Sequence, residues 1–261
     1  MEYIDTHCHL HDPEFFSDKD ASAVIDASVN SDVSKMIGIG TSLEDSKNAI
    51  LCAHKHPDNY WASVGIHPHE ASKLPSAQIE KHLKELDQLV SDTKVVAIGE
   101  CGFDFYYNDR ENALLKQTKL LEGQLEIAQK YNLPVSFHVR EAFTDFWPIY
   151  DKYKVQGVLH SFTDRPEHLE KALERGLLIG INGIATFTSH QWQSDMFKKI
   201  SLEKIVVETD SPFLTPKPRR GTINTPQNVI YITQYLAELR GEDATDTAKQ
   251  TTANARKLFG I

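Results

Sequence analysis

Residues 94–100 read Lys-Val-Val-Ala-Ile-Gly-Glu. Val95 to Gly99 run without a polar interruption and stop on the carboxylate of Glu100. A strand with one face in water alternates apolar and polar residues. An unbroken apolar run of this length fits a strand covered on both faces, as in a parallel sheet under helices. The same pattern recurs at YIDTHCH (3–9), LPVSFH (133–138), QGVLH (156–160) and KIVVETD (204–210). Five apolar stretches therefore end on a side chain that can bind a metal: His7 and His9, Glu100, His138, His160 and Asp210. Donors at the C-terminal ends of several parallel strands describe the mouth of a β/α barrel, where that fold builds its active sites.

Outward from these five stretches, three more apolar runs complete a set of eight strands: Tyr3–Asp5, Lys35–Gly40, Tyr60–Ile66, Lys94–Gly99, Leu133–Val139, Gln156–His160, Leu177–Asn182 and Lys204–Thr209. Helical segments separate them. From Asp109 to Tyr131, Leu114, Thr118, Leu121, Leu125 and Ala128 fall on one helical face. Ile79, Leu83, Leu86 and Val90 do the same over Ser76–Val90, with Pro75 just before. Asn224-Thr225-Pro226 opens a helix to Arg240, and Thr245–Phe259 forms another that Gly260 ends. Eight strand–helix alternations predict a (β/α)8 TIM barrel of the α/β class. An open doubly wound sheet is the competitor. It is disfavoured because no GxGxxG follows the first strand and donors on strands 1, 4, 5, 6 and 8 would not converge across an open sheet. With no linker, repeat or low-complexity stretch, residues 1–261 are expected to form one domain.

Composition narrows the function classes. The chain is 40% hydrophobic and 25% charged, as in ordinary globular proteins. No apolar run approaches the roughly 20 residues of a membrane helix, and MEYIDTHCHL lacks the basic and apolar regions of a secretory signal. Cys8, Cys52 and Cys101 are odd in number and have no CxxC spacing, which points to free thiols and a cytoplasmic location. A net charge of −9 argues against a generally basic surface for duplex nucleic acid. It does not argue against a nucleic-acid substrate, since bound cations invert the field of an acidic site. Lys217, Arg219 and Arg220 form a small basic rim, although such charge runs are more often solvated loops.

His7 and His9 lie two apart on a strand, so they share a face on which two imidazoles can chelate one cation, while Cys8 points the other way. Glu100 closes a very apolar strand, where an unpaired carboxylate is costly, and its two oxygens can bridge two metals. A lone His at a strand end is more often a satisfied core residue, but His138 and His160 on adjacent strands beside Glu100 reverse that expectation. Imidazole with carboxylate suits Zn, Mn, Fe or Ni better than Mg. Asp210 ends the strand that closes the barrel beside the first one, and is placed to ligate a metal and accept a proton from an attacking water. Glu208 shares its parity but lies deeper. Catalytic roles are therefore assigned to Asp210 and Glu100.

These features together resemble the TatD family of metal-dependent hydrolases among the amidohydrolase-like barrels. The resemblance runs nearly the full length and in order: IDTHCHL, SVGIHPH (63–69), IGECGFDFY (98–106), PVSFHVREAFTD (134–145), VLHSFT (158–163), GINGIATF (180–187), ETDSPFLTP (208–216) and RGTINTP (220–226). It implies a barrel, two divalent metal ions (Zn, Mg or Mn) and hydrolysis, most often of DNA phosphodiesters. The family's ligands carry over onto His7, His9, Glu100, His138, His160 and Asp210. In that scheme His7, His9 and Asp210 hold one metal, His138 and His160 the other, and Glu100 bridges. His11, Asp164 and Thr225 depart from the family's usual residues; none removes a ligand, so the departures bear on substrate preference.

The resemblance also makes His67 a substrate contact on a loop lining the site, with His69 equally suited to the surface. Arg140, two residues past His138, can hold a phosphate bidentately; a structural ion pair is its alternative. Phe103, Phe105, Tyr106 and Tyr107 are candidates for stacking. His54, His56, His82, His168 and His190 read as surface or structural. The expected function is a TatD-type deoxyribonuclease with 3′→5′ exonuclease activity, with DNA as substrate, either single-stranded or at 3′ ends. No obligate protein partner is expected. Hydrolysis of a small amide or ester, or of aminoacyl-tRNA, is the enzymatic alternative, and a non-catalytic barrel the remaining one.

Overall fold

The structure, a computed structural model, describes residues 1–106 and 110–261. Its strands are β1 (Tyr3–Cys8), β2 (Val33–Ile39), β3 (Tyr60–Val64), β4 (Val95–Asp104), β5 (Val135–Arg140), β6 (Gly157–Leu159), β7 (Leu178–Ile181) and β8 (Ile205–Val207). They pair in sequence order, each parallel to the next. The seam between first and last strand closes just beyond β8. There the Asp210 amide donates to His7 O (2.8 Å) and the His9 amide to Ser211 O (2.8 Å), with a parallel bridge between Cys8 and Ser211. This is a (β/α)8 barrel, and all eight expected strands are present.

The helices are α1 (Asp18–Val29), α2 (Leu43–Lys55), α3 (Glu70–Lys73), α4 (Ile79–Leu89), α5 (Arg110–Tyr131), α6 (Phe143–Tyr153), α7 (Pro166–Glu174), α8 (Ile184–Phe187), α9 (Gln191–Lys199), α10 (Val229–Arg240) and α11 (Ala244–Phe259). Ser76–Gln78 and Pro226–Asn228 are single 3-10 turns that lead into α4 and α10. The expected start of the long helix at Asp109 lies outside the described residues. No helix among the described residues is long and apolar enough to cross a membrane. At one end of the barrel, Ala255 and Phe259 of α11 pack against Ile4, Ile37, Ile39, Ala97, Val158 and Val206. The larger apolar core lies between the strands and the surrounding helices, and burying apolar surface at roughly 25 cal/mol per Å² makes it the main stabilising term.

Two strands run longer than their apolar runs. β1 continues to Cys8, so His7 lies inside it. β4 continues to Asp104, so Glu100 is within the strand, at a register shift between Ile98 and Cys101. Gly99 (φ +120°) and Gly102 (φ +151°) make this possible. A Cβ at Gly102 would lie 1.9 Å from His138 O, so only glycine lets β4 pass that close to β5.

α5 does more than cover the sheet. Leu121, Leu125 and Ala128 of its apolar stripe are buried, but so are Gln117 and Gln124, two turns apart. The Gln124 side chain accepts from Ile66 N (2.7 Å) and donates to Ile66 O (3.1 Å). Gln117 accepts from Asp104 N (3.1 Å) and donates to Asp104 O (3.0 Å). Each amide satisfies a buried backbone pair that has no sheet partner there. Together they fix the loop entering His67 and the end of β4.

Candidate metal centre

All six strand-end residues converge at the C-terminal mouth. His7 Nε2 lies 3.5 Å from Glu100 Oε2 and 3.6 Å from Asp210 Oδ1. Asp210 Oδ1 is also 3.4 Å from His9 Nε2 and 3.8 Å from His160 Nε2. His7 and His160 stack with ring centroids 3.5 Å apart. On the far side of Glu100, its Oε1 is 2.6 Å from His138 Nδ1 and 3.7 Å from His67 Nε2.

Among the described residues, four sets of donors could each hold a cation: His7, His160 and Asp210; His7, His9 and Glu100; His67, Glu100 and His138; and, beside them, His9, His11 and Asp45. The grouping differs from the expected one. His160 stacks on His7 rather than joining His138, and His67, expected as a substrate contact, stands beside Glu100 and His138. His138 and His160 follow the last residues paired between β5 and β6, Phe137 and Leu159, yet their ring centroids lie 6.4 Å apart, against 3.5 Å between His160 and His7; the loop pinned by Gln124 places His67 beside Glu100.

The donor set fits a metal on two counts. Most of the separations, 3.4 to 3.8 Å, exceed hydrogen-bond length. They approach the spacing of ligands that each stand about 2.0–2.2 Å from one cation. His7 Nε2 is also fully buried and makes no hydrogen bond, yet faces two carboxylates. A buried polar atom in that state calls for a partner of another kind.

Neighbouring groups orient the rings. His9 Nδ1 lies 3.0 Å from Ile39 O, so it carries the proton and leaves the Nε2 lone pair, on the side of Asp210, to meet a cation. His160 Nδ1 lies 2.8 Å from Glu208 Oε1, which also accepts from Ser161 N (2.7 Å). Glu208 is fully buried, and Gly180 makes its space: a Cβ there would lie 2.5 Å from Glu208 Oε2. His138 Nε2 is 2.9 Å from Asp104 Oδ2, as is His69 Nε2.

The electrostatics are those of a charged cage. Burial opposes ionisation of Glu100, but His160, His67 and His138 outweigh it and hold the carboxyl well below its usual range. Asp210 is likewise lowered, against burial, by His9, His160 and His7. Burial lowers His67 to about 3, with His138 adding to the effect. Against the same burial, Glu100 and Asp104 lift His138 to about 9, and Glu208 and Glu100 lift His160 to about 10. A cation entering here displaces protons from these imidazoles.

The remaining expectations divide. Cys8 and Cys101 are buried away from the donors, with burial raising both thiols. Arg140 is exposed at the rim, its guanidinium 3.6 Å from the Tyr106 ring centroid. Phe103 is fully buried in the core and cannot stack on a substrate, because its strand parity turns it towards the helices. Tyr107 lies outside the described residues. Lys217, Arg219 and Arg220 are exposed, with Arg220 donating to Thr215 O and its guanidinium over the Phe187 ring. His54 pairs with Asp92 and His56 with Ser22, remote from the centre. His11 lies 3.1 Å from both Asp45 Oδ1 and the Tyr60 hydroxyl, so both its nitrogens face partners.

Asp104, Glu208, Gln117 and Gln124 were not among the residues expected at the site. Parity offered a signal for Glu208, which alternates with Asp210. The two glutamines carried none, being polar residues on a helix.

Residues 4–260 match the family described as TatD related DNase. The chain belongs to the TatD-related DNase family. It is 36% identical to the 3′-5′ ssDNA/RNA exonuclease TatD of Erwinia tasmaniensis, over 93% of this chain and 95% of that one. It is 32% identical to the uncharacterized metal-dependent hydrolase YcfH of Escherichia coli K12, over 100% and 97%. The crystal structure of YJJV, a TatD homolog from Escherichia coli K12, superposes with a TM-score of 0.89 at 28% identity, covering 99% and 98%. This TatD-family chain is a metal-dependent hydrolase of ester bonds.

Proposed function

We propose that this hydrolase removes nucleotides from the 3′ end of single-stranded nucleic acid, holding two divalent cations on either side of Glu100. The observation that carries the two-cation reading is the Glu100 carboxylate itself. One of its oxygens faces His7, and the other faces His67 and His138 and lies 3.9 Å from His160. A carboxylate with imidazoles around both oxygens suits a bridging role. The nucleic-acid substrate rests on the family and on relatives named as exonucleases of single-stranded DNA and RNA.

When bound, divalent cations lower the pKa of water and offset the charge that develops on a phosphoryl group. His7, His9, His160 and Asp210 would hold one, and His67 and His138 the other. Asp210, kept ionised by three imidazoles, takes the proton from the attacking water. Its backbone is tied to His7 by the seam hydrogen bond, which fixes its distance from the reacting atoms. Glu208 and Ile39 O hold the His160 and His9 rings so that their Nε2 atoms face inward. Arg140, at the rim two residues beyond His138, meets the phosphate charge from outside.

The test is time-resolved digestion of end-labelled single-stranded DNA and RNA by chelator-stripped protein, with Mg, Mn and Zn restored separately. Stepwise loss from the 3′ end that needs metal and vanishes in Asp210→Asn is expected. Two bound cations without cleavage of either strand would overturn the nuclease reading and point to small esters, amides or aminoacyl-tRNA.

A further inference from the structure

Among the described residues, four aromatic side chains are notably exposed: Phe15, Tyr106, Trp192 and Phe213. Phe15, Tyr106 and Phe213 lie where the chain leaves the C-terminal end of a strand, and Trp192 lies in the first turn of α9, the second helix after β7. None lies on the connections that lead from a helix back into a strand. Scattered exposed apolar residues are ordinary; their confinement to the face that carries the metal centre is not.

Two of them form a unit. The Phe15 and Phe213 rings meet edge to face, with centroids 5.2 Å apart, and remain 43% and 46% exposed. Phe213 in turn packs edge to face on His9, 6.4 Å away, so its open face borders the donors directly. The backbone beneath is fixed. Phe213 N donates to Asp210 O (2.8 Å), and the buried Asn224 amide donates to both Phe213 O (2.6 Å) and Thr209 O (2.9 Å). Phe16, next to Phe15, is buried and anchors the other ring's loop. These are bare rings on a rigid mount, with no packing role that requires their exposure.

We propose that Phe213, backed by Phe15, is a stacking shelf for a nucleobase next to the scissile phosphate. The shelf rests on the exonuclease reading and deepens it. Bases within a duplex stack on one another and offer no face, whereas an unpaired terminal base does. Arg140 on Tyr106 stands at the β4–β5 side of the mouth and the shelf at the β8–β1 side, diametrically opposed around the barrel. A strand lying across the centre would therefore turn its last bases outward, and single strands are selected because only they can do so.

The test uses the full metal-loaded chain and a labelled single strand with a non-cleavable phosphorothioate at its 3′ end, read by fluorescence anisotropy. KM is measured in parallel on the cleavable strand. Phe213→Ala is expected to weaken binding and raise KM about 10-fold, Phe15→Ala less, and Phe213→Trp, which keeps a stacking face, to retain wild-type values. On strands lacking the two 3′-terminal bases, wild type and Phe213→Ala should bind alike. A loss that is equal with and without those bases, or no loss at all, would overturn the shelf while leaving the exonuclease intact. A wild-type protein that neither binds nor cleaves single strands would overturn both.

Discussion

Replacing Glu208 by Gln isolates the part played by one buried charge. The Glu208 carboxylate lies 2.8 Å from His160 Nδ1 and accepts from Ser161 N at 2.7 Å. Glutamine has the same shape, and its carbonyl oxygen can keep both contacts, so the backbone at residue 161 stays satisfied. What is lost is the negative charge, the strongest of those that lift His160 to about 10. Exchanging a charge-assisted bond for a neutral one costs roughly 1 kcal/mol of stability. The larger effect falls on the metal. Partners of ligating histidines typically contribute about 10- to 100-fold in metal affinity, or about 1.4 to 2.7 kcal/mol. Competition titration of stripped protein against a chromophoric chelator should therefore show one binding step weakened by that factor and the other unchanged, with little change in Tm. Equal weakening of both steps, or an unaltered isotherm, would refute the role given to Glu208.

Asp104→Asn should do the converse, weakening by about 10- to 100-fold the step that uses His67, Glu100 and His138 and leaving the other, in the same titration. Asp210→Asn should keep the fold, as circular dichroism would report, while lowering kcat by about 100-fold or more through loss of the proton acceptor. Gln124→Leu leaves Ile66 N–H and C=O buried without partners, and should cost about 2–4 kcal/mol in urea denaturation. Asp45, opposed by burial but paired with His11 and the Thr41 amide, is held down to about 2, against about 3.9 in the unfolded chain. A lowered folded pKa contributes stability that is complete above about pH 4 and is lost as pH falls towards 2. The stability gap between wild type and Asp45→Asn should thus shrink by about 2 kcal/mol over that window, and a pH-independent gap would contradict it.

The fold was legible because a parallel barrel needs strands buried on both faces, and such strands appear as plain apolar runs. The same simplicity hid the longer elements. A scan for apolar runs stops at Glu100, although Cys101 and Phe103 beyond it are buried as deeply as Ile98. The glycines that carry β4 past the charge act through φ and close approach, which hydropathy does not record. Donors at strand ends were visible because position along a strand fixes their direction. His67 was visible only as a loop residue, since its direction is set through Ile66 by Gln124, on a helix 58 positions beyond Ile66. Asp104 acts through another side chain and leaves no spacing of its own, whereas Glu208 shares the parity of Asp210 and differs from it only in lying deeper. Phe15 and Phe213 looked like two more hydrophobic residues, and only their exposure distinguishes them.

The seam has one further consequence. The donors of β1 are among the first residues of the barrel to be made, and Asp210 the last, yet the two are joined by hydrogen bonds between residues about 200 positions apart. A ribosome-bound chain that has not yet emerged past residue 211 carries histidines and a glutamate but no finished centre. The donor set is thus complete only once the barrel is closed.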